Sequence, residues 1–324
     1  MTKRGEFDLI AQSLAPLSDA AHGLGLTDDA ALFAPQPGHT AVLSTDTLVA
    51  GVHFLLEDSP GDIARKALRV NLSDIAAMGA VPRGYLLNLS LSPEVTDDWM
   101  DSFVAGLAAD QAVFGVTLFG GDTVRTPGPL TVSVTAIGEV RVGRAITRSG
   151  AHVGDTIFVT GTIGDAAAGL RLLTGKDVLG TADAAFVCDR YRVPQPRTTI
   201  GPRLVGLAHA AIDVSDGLIA DLNHICDTSS VGATVRARDV PLSFAGRDAI
   251  KRGLFTLSDA VTGGDDYELL FCARPEAGDA LKRLVSSFDV PITAIGEITA
   301  GQGVSLIDDD GNAIALERTG HNHF

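Results

Sequence analysis

Hydrophobic and polar positions along this chain change period every ten to twenty residues. Residues 85–92 (YLLNLSLS) alternate with a period of two, as do residues 130–140 (LTVSVTAIGEV), and both predict strands. TAVLSTDT (40–47) is an apolar run that ends in small polar residues and predicts a strand that runs into a loop, whereas GVTLFGGDT (115–123) predicts a strand. Residues 59–80 start at Ser59, space Ile63, Ala67 and Val70 at helical intervals and stop at Gly79. Asp97–Phe114 predicts a second helix, and residues 6–15 a short amphipathic one.

The Gly- and Arg-rich stretch 141–155 breaks the pattern, after which strand and helix alternate again to the end. The expected class is α/β (α+β) in two domains, 1–146 and 147–324, with mixed sheets. The elements GGD and TAIGE occur at 120–139 and again at 263–297 with unequal intervals, which reads as a recurring strand-plus-turn pattern rather than a duplication.

Composition narrows the function. The 324 residues are 45% hydrophobic and 20% charged, which fits a folded globular protein, and 5% aromatic, which is too few for a base-stacking platform. A net charge of −15 repels a nucleic-acid backbone and anionic lipid, so neither is an expected partner. Cys188, Cys226 and Cys272 lie far apart without a CxxC pair, and no apolar stretch is long enough for a signal peptide or a membrane span. A cytoplasmic location is expected. An acidic protein that handles phosphate needs a divalent cation to reverse the local field.

No P-loop is present: GLRLLTGKD (169–177) has one residue too many and an aspartate where the magnesium-binding hydroxyl belongs. LIDDDGNAIALE (306–317) resembles a calcium loop but has Leu306 at the first ligand position, and Asp-Gly between alternating runs predicts a hairpin turn.

One design repeats: an apolar strand, then small residues, then aspartate. It gives Asp28 and Asp29 (GLTDDAALF), Asp46 (LSTDT), Asp122 (LFGGDT), Asp213 and Asp216 (AIDVSDG), and Asp265 and Asp266 (TGGDDYEL), with Asp74 added on the 59–80 helix. Glycine and serine beside a carboxylate let a ligand approach closely, and an all-oxygen donor set suits Mg²⁺ shared with phosphate oxygens. Any one of these aspartates could equally be a turn former or a helix cap, the role assigned to Asp165 and Asp221. Repetition of the same flanks points to a hard-metal phosphate site.

GEFDLIAQ, GLTDDAAL, STDTLVAGVHF, NLSDIAAMGA, GGDT, TRSGAHVGD, VTGTIGDAAAGL, IDVSDGLIADLNHI and GGDDYELLF occur in an order that resembles the thiamine-monophosphate kinases of the AIR synthase-related superfamily. The resemblance covers nearly the whole chain. It implies an AIR synthase-like architecture, an N-terminal ATP- and metal-binding domain that dimerises through its sheet, and a C-terminal domain. It also implies phosphorylation of thiamine phosphate by ATP with Mg²⁺, without a general base.

By motif it assigns metal binding to Asp29, Ser44, Thr45, Asp46, Asp74, Asp122, Asp213 and Asp216. It assigns nucleotide contacts to Gly121, Arg148 and Ser215, and substrate contacts to His53, Asp265 and His321. The chain departs from the family at Asp265, where glutamate is usual, and at His321, where an aromatic is usual. On the residues alone, His53 is as readily structural, and a non-catalytic metal- or nucleotide-binding protein remains the rival reading.

Overall fold

The computed structural model describes residues 5–175, 179–285, 289–316 and 320. The chain divides into two compact units, one of residues 1–75 and 80–143, the other of 76–79 and 144–324.

In the first unit, among the described residues, β1 (His39–Val49), β2 (Val81–Leu91), β3 (Thr117–Arg125) and β4 (Thr131–Arg141) form a sheet of order β1-β4-β2-β3. It is mixed: β2 pairs parallel with β3 and antiparallel with β4, which pairs antiparallel with β1. The strand expected at 40–47 does not give way to a loop at Ser44, because pairing with β4 continues to Val49 opposite Thr131. Asp46 and Asp122 therefore lie inside strands. The helix expected over 6–15 is α1 (Glu6–Leu9) followed by short π and 3₁₀ turns, Pro16 lying in the last of these.

Helix α2 (Pro60–Ala77) starts where Ser59 Oγ accepts from the Asp62 amide at 3.1 Å, with proline at the first helical position. Helix α3 (Asp97–Phe114) has the limits its pattern predicts: Thr96 accepts from the Trp99 amide, and Gly115 at φ 66° closes it. Ile63, Ala67, Leu68, Phe103 and Leu107 are buried. Between the two helices, Arg69 donates twice to buried Asp110, at 2.6 and 2.8 Å. A bidentate pair of this kind fixes helix register as well as charge.

In the second unit, among the described residues, β5 (Thr156–Thr160), β6 (Ala208–Asp213), β7 (Gly232–Arg236), β8 (Leu269–Ala273), β9 (Ile292–Thr299) and β10 (Gly303–Ile307) are ordered β10-β7-β9-β5-β8-β6. Only the β10–β7 pairing is parallel. The helices are α4 (Asp165–Leu173), α5 (Thr181–Arg192), α6 (Leu218–Ser229), α7 (Phe244–Lys251), α8 (Leu257–Thr262) and α9 (Gly278–Val285). One face of the sheet packs on α6 through Ile212, Leu222, Ile225 and Leu270.

The Asp-Gly turn is a tight reversal: Ile307 bridges Ala313, Gly311 has φ 85°, and the Asp308 carboxylate accepts from the amides of Asp310 and Asn312. The two TAIGE segments lie in β4 and β9, whereas one GGD is inside β3 and the other precedes β8 in a loop.

Fully buried Glu268 anchors the chain entering β8. It accepts from Arg190 at 2.7 Å, from Thr160 at 2.7 Å and from both Nε and Nη2 of Arg197. Gly161 is required opposite it, since a Cβ there would lie 2.0 Å from Glu268 Oε1. Glu268→Ala would leave two nearly buried guanidinium groups without their counter-charge. We expect it to destabilise the fold by roughly 3–5 kcal/mol, read by urea denaturation.

Candidate functional site

The carboxylates fall into three groups. The first is built on β1 and α2. Ser44 and Asp46, two residues apart on a strand, share one face of the sheet. Ser44 Oγ donates to Asp74 Oδ2 at 2.5 Å, and the Asp46 amide donates to Asn71 Oδ1 at 3.0 Å. Asn71 is itself oriented by donating Nδ2–H to the Ala67 carbonyl at 3.0 Å. Asn71 and Asp74 are three apart on α2 and so share a helix face, a spacing from which Asn71 could have been found. Burial first, and then the nearby Asp74 charge, pushes the Asp46 carboxyl up from the usual carboxylate range to about 6.

The second group lines a cavity of about 640 Å³ in the first unit. Asp28, Asp29, Gly121 and Asp122 border it together with Phe33, Leu87 and Asn88. Gly121 sits opposite Leu87 in the β2–β3 pairing, and a Cβ there would lie 1.8 Å from the Leu87 carbonyl oxygen. Any side chain at 121 would push these strands apart where they carry Asp122. Asp28, Asp29 and Asp122 are exposed, which leaves their oxygens open to solvent and ligand.

The third group belongs to the second unit. Asp213 ends β6, and the loop that follows carries Ser215 and Asp216. The Asp265 amide donates to the Ser215 carbonyl at 2.9 Å and the Tyr267 amide to the Val214 carbonyl at 2.8 Å, so the DVSDG and GGDDYEL loops lie back to back. Gly264 permits this, because a Cβ there would lie 2.2 Å from the Ser215 carbonyl oxygen. Asp265 and Tyr267 hold φ values of 72° and 51°, a left-handed conformation that costs a non-glycine residue of order 1 kcal/mol or more.

Asp221 Oδ2 accepts from the amides of Ser215, Asp216 and Gly217 at 3.0, 3.1 and 3.1 Å, the capping role expected of it. Burial, with Asp216 adding to it, raises its carboxyl to about 7. Asp216, Asp221 and exposed His224 bring one ligand atom each within 4.8 Å of one another, and His224 had no sequence signal beyond its place on the same helix.

Several expected residues are placed elsewhere. The Thr45 hydroxyl is on the opposite sheet face from Ser44 and Asp46, donating to the Val134 carbonyl at 3.1 Å and accepting from Thr135 at 3.0 Å. His53 Nδ1 accepts from the Val49 amide at 3.0 Å, closing the turn after β1. Arg148 is exposed on a loop whose carbonyl accepts from Thr228. Asp266, neighbour of Asp265, is buried: it accepts from the amides of Gly164 and Ala166 at the start of α4, and burial holds its carboxyl well above the usual range. It caps a helix and offers nothing to a ligand. His321 lies outside the described residues.

The fold and these sites define a two-domain, P-loop-free protein with carboxylate-rich clusters. Residues 27–140 match the model of the AIR synthase related protein N-terminal domain, and residues 152–309 that of its C-terminal domain. The thiamine-monophosphate kinase of Escherichia coli strain K12 is 43% identical over 327 residues, covering 99% of this chain and 98% of that protein. The crystal structure of thiamine-monophosphate kinase from Stenotrophomonas maltophilia K279a superposes with a TM-score of 0.85 at 44% identity, covering 97% of this chain and 99% of that one. A structure described as AaThiL complexed with AMPPCP and TMP matches with a TM-score of 0.79 at 31% identity over 100% of both chains. The chain belongs to the AIR synthase related family and, within it, to the thiamine-monophosphate kinases.

The Asp46 environment predicts a trade-off between stability and function. A carboxyl whose folded value is raised holds its proton more tightly folded than unfolded. Stability is therefore lost as pH rises from about 4 to about 6, and stays lost above that. Asp46→Asn removes this loss. In metal-free protein at pH 7.5 it is expected to be more stable than the parent by about 1–3 kcal/mol, the gap closing below about pH 4. Chemical denaturation across pH measures it.

Proposed function

We propose that this chain transfers the γ-phosphoryl group of ATP to thiamine phosphate, giving thiamine diphosphate and ADP, by direct in-line displacement with several Mg²⁺ ions. The observation that carries this reading is the Ser44–Asp46–Asp74 cluster, in a chain similar throughout to a relative complexed with AMPPCP and TMP. Two neighbouring carboxylates, one of them raised in pKa first by burial and then by the charge of the other, form an oxygen-rich acidic site that fits a hard cation.

Asp29, Ser44, Thr45, Asp46, Asp74 and Asp122 of the first unit and Asp213 and Asp216 of the second are the proposed metal-binding set. Of these, Thr45 has its hydroxyl committed to Thr135 and Val134, so its main-chain oxygen is the group it can offer. When bound, the ions supply charge neutralisation between two polyanions; each pair of unit charges at about 4 Å costs about 4 kcal/mol at an effective dielectric of 20.

The chain's own residues position the reactants. Gly121 leaves room beside Asp122 for a nucleotide phosphate, and Ser215 and Arg148 are proposed to contact the nucleotide. The acceptor phosphate, with a second pKa of about 6, is already ionised at neutral pH, so no side chain need remove a proton. Asp265, presented on a backbone held rigid by Ser215, is proposed to face the cationic thiazolium. His53 and His321 complete the proposed substrate contacts.

Two copies are proposed to meet over the open face of the first sheet, where Leu43 is 66% exposed beside Thr45 and Thr47. A cytoplasmic setting agrees with three free cysteines, and among the described residues no helix is long and apolar enough to cross a membrane.

Incubation with ATP, Mg²⁺ and thiamine phosphate tests the reading. Thiamine diphosphate and ADP should appear in equal amounts. ADP formed only with another acceptor, or nucleotide bound without turnover, overturns it. In the same assay Asp46→Asn should reduce kcat by at least about a hundredfold. Asp265→Asn should raise KM for thiamine phosphate by roughly tenfold, the equivalent of about 1.4 kcal/mol, and leave KM for ATP unchanged.

A further inference from the structure

The second unit holds a cluster of different chemistry, away from the acidic loops. Strand β6 is at the edge of its sheet and carries a bulge: Ala208 pairs with Ala273 and Ala210 with Cys272, so His209 is the extra residue. A bulge turns its side chain away from the regular alternation. His209 is turned toward Asp155, its Nδ1 lying 2.8 Å from Oδ2 and 3.0 Å from Oδ1.

His152 reaches the same point from a tight turn. The Asp155 amide donates to the His152 carbonyl at 2.9 Å, and the His152 amide donates to Asp155 Oδ2 at 2.9 Å. This locks the two side chains together, with His152 Nδ1 3.3 Å from His209 Nδ1 and 3.9 Å from Asp155 Oδ2. The rings meet edge to face, with centroids 4.8 Å apart.

Three lone-pair donors thus converge: two imidazole Nδ1 atoms and a buried carboxylate. A single proton between His209 and Asp155 satisfies one pair and leaves His152 Nδ1 facing another nitrogen. A divalent ion would satisfy all three at once. The separations also fit one, because a tetrahedral ion with bonds of about 2.0–2.1 Å holds its ligands about 3.3 Å apart. The observed sides of 2.8, 3.3 and 3.9 Å average close to that edge. His152 is 72% exposed on its side chain, which leaves an approach from solvent and a fourth position for water, while Asp155 at 4% forms the buried floor.

We propose that His152, Asp155 and His209 form a second metal site, for a borderline divalent transition ion such as Zn²⁺, distinct from the magnesium set. Two imidazoles favour zinc, cobalt or nickel over magnesium. Asp213, at the other end of β6, is four residues from His209 and so about 13 Å along the strand. An ion at this site ties the 152–155 turn to the bulged edge of the sheet. The proposal does not depend on the kinase reading.

The test uses full-length protein stripped of metal and then kept in excess Mg²⁺, which occupies the hard-oxygen sites and not this one. Zn²⁺ affinity is measured by competition with a chromogenic chelator, and Co²⁺ is the optical probe. We expect one magnesium-resistant site, with the intense visible absorption of four-coordinate cobalt. His152→Ala, at an exposed position that leaves the fold intact, should lower Zn²⁺ affinity at least about tenfold and abolish that absorption. His209→Ala should do the same, and Zn²⁺ should shift the ring-nitrogen NMR signals of both histidines in the parent. Zinc binding of unchanged affinity in both variants, or no magnesium-resistant site in the parent, overturns the proposal.

Discussion

The first unit holds two carboxylates, Asp46 and Asp74, close together in a partly buried setting that disfavours the ionised form of Asp46. Each sits on an element that could not easily move away: Asp46 within an eleven-residue strand paired along its length with β4, Asp74 on a helix packed by Ile63, Ala67, Leu68 and Ile75. The hydrogen bonds around them increase the crowding. Ser44 donates to Asp74, so that side chain cannot relax into solvent without losing a partner, and Asn71 fixes the backbone from which Asp46 projects. The ionised form of Asp46 is therefore disfavoured in the folded chain, and either a proton or a cation relieves it. Burying Asp46 beside Asp74 thus costs stability once both are ionised.

The second unit achieves rigidity by steric means. Gly264 rests on the Ser215 carbonyl, Gly217 would place a Cβ 2.9 Å from the Thr262 backbone, and Asp221 gathers three successive amides of the DVSDG loop. Behind these, Asp266 and Glu268 hold the GGDDYEL segment to α4 and to the arginines of the core. Of six acidic side chains between Asp213 and Asp221 and between Gly263 and Leu269, Asp216 and Asp265 keep part of their surface in solvent, while Asp213, Asp221, Asp266 and Glu268 are buried. The strained φ of Asp265 is tolerated because its own amide is bound on the far side by Ser215.

Much of this was legible in the sequence, for reasons that differ by element. Helix α3 was readable to the residue because both stop signals, Thr96 and Gly115, are local chemistry. Aspartates after small residues were readable as a group, since such flanks recur too often for turn formation alone. The setting of Asp46 was not: its strand was expected to give way to a loop, yet pairing with β4, a long-range property, carries β1 past it. Asp265 and Asp266 are adjacent in one motif, and the position of α4 separates a partly exposed carboxylate from a buried cap. Glu268 lies within the GGDDYELLF motif, but its role was not readable there, because it depends on Arg190 and Arg197, more than seventy residues away.

Strand β1 shows how little sequence separates two jobs. Ser44 and Asp46 point to the helix-covered face and belong to the proposed metal-binding set; Leu43, Thr45 and Thr47 point to the open face, where Thr45 and Thr47 meet Thr135 and Ser133. With a side-chain period of two, a one-residue slip in the pairing with β4 would exchange the two sets, placing Asp46 on the open surface and Leu43 beside Asp74. Register therefore has to be held from outside the motif. Val42 and Leu48, buried two residues to either side of the Ser44–Asp46 pair, do this, because a slip would expose both to water at a cost of about 1.5–3 kcal/mol each. The apolar residues that frame the motif thus determine which face the aspartate serves.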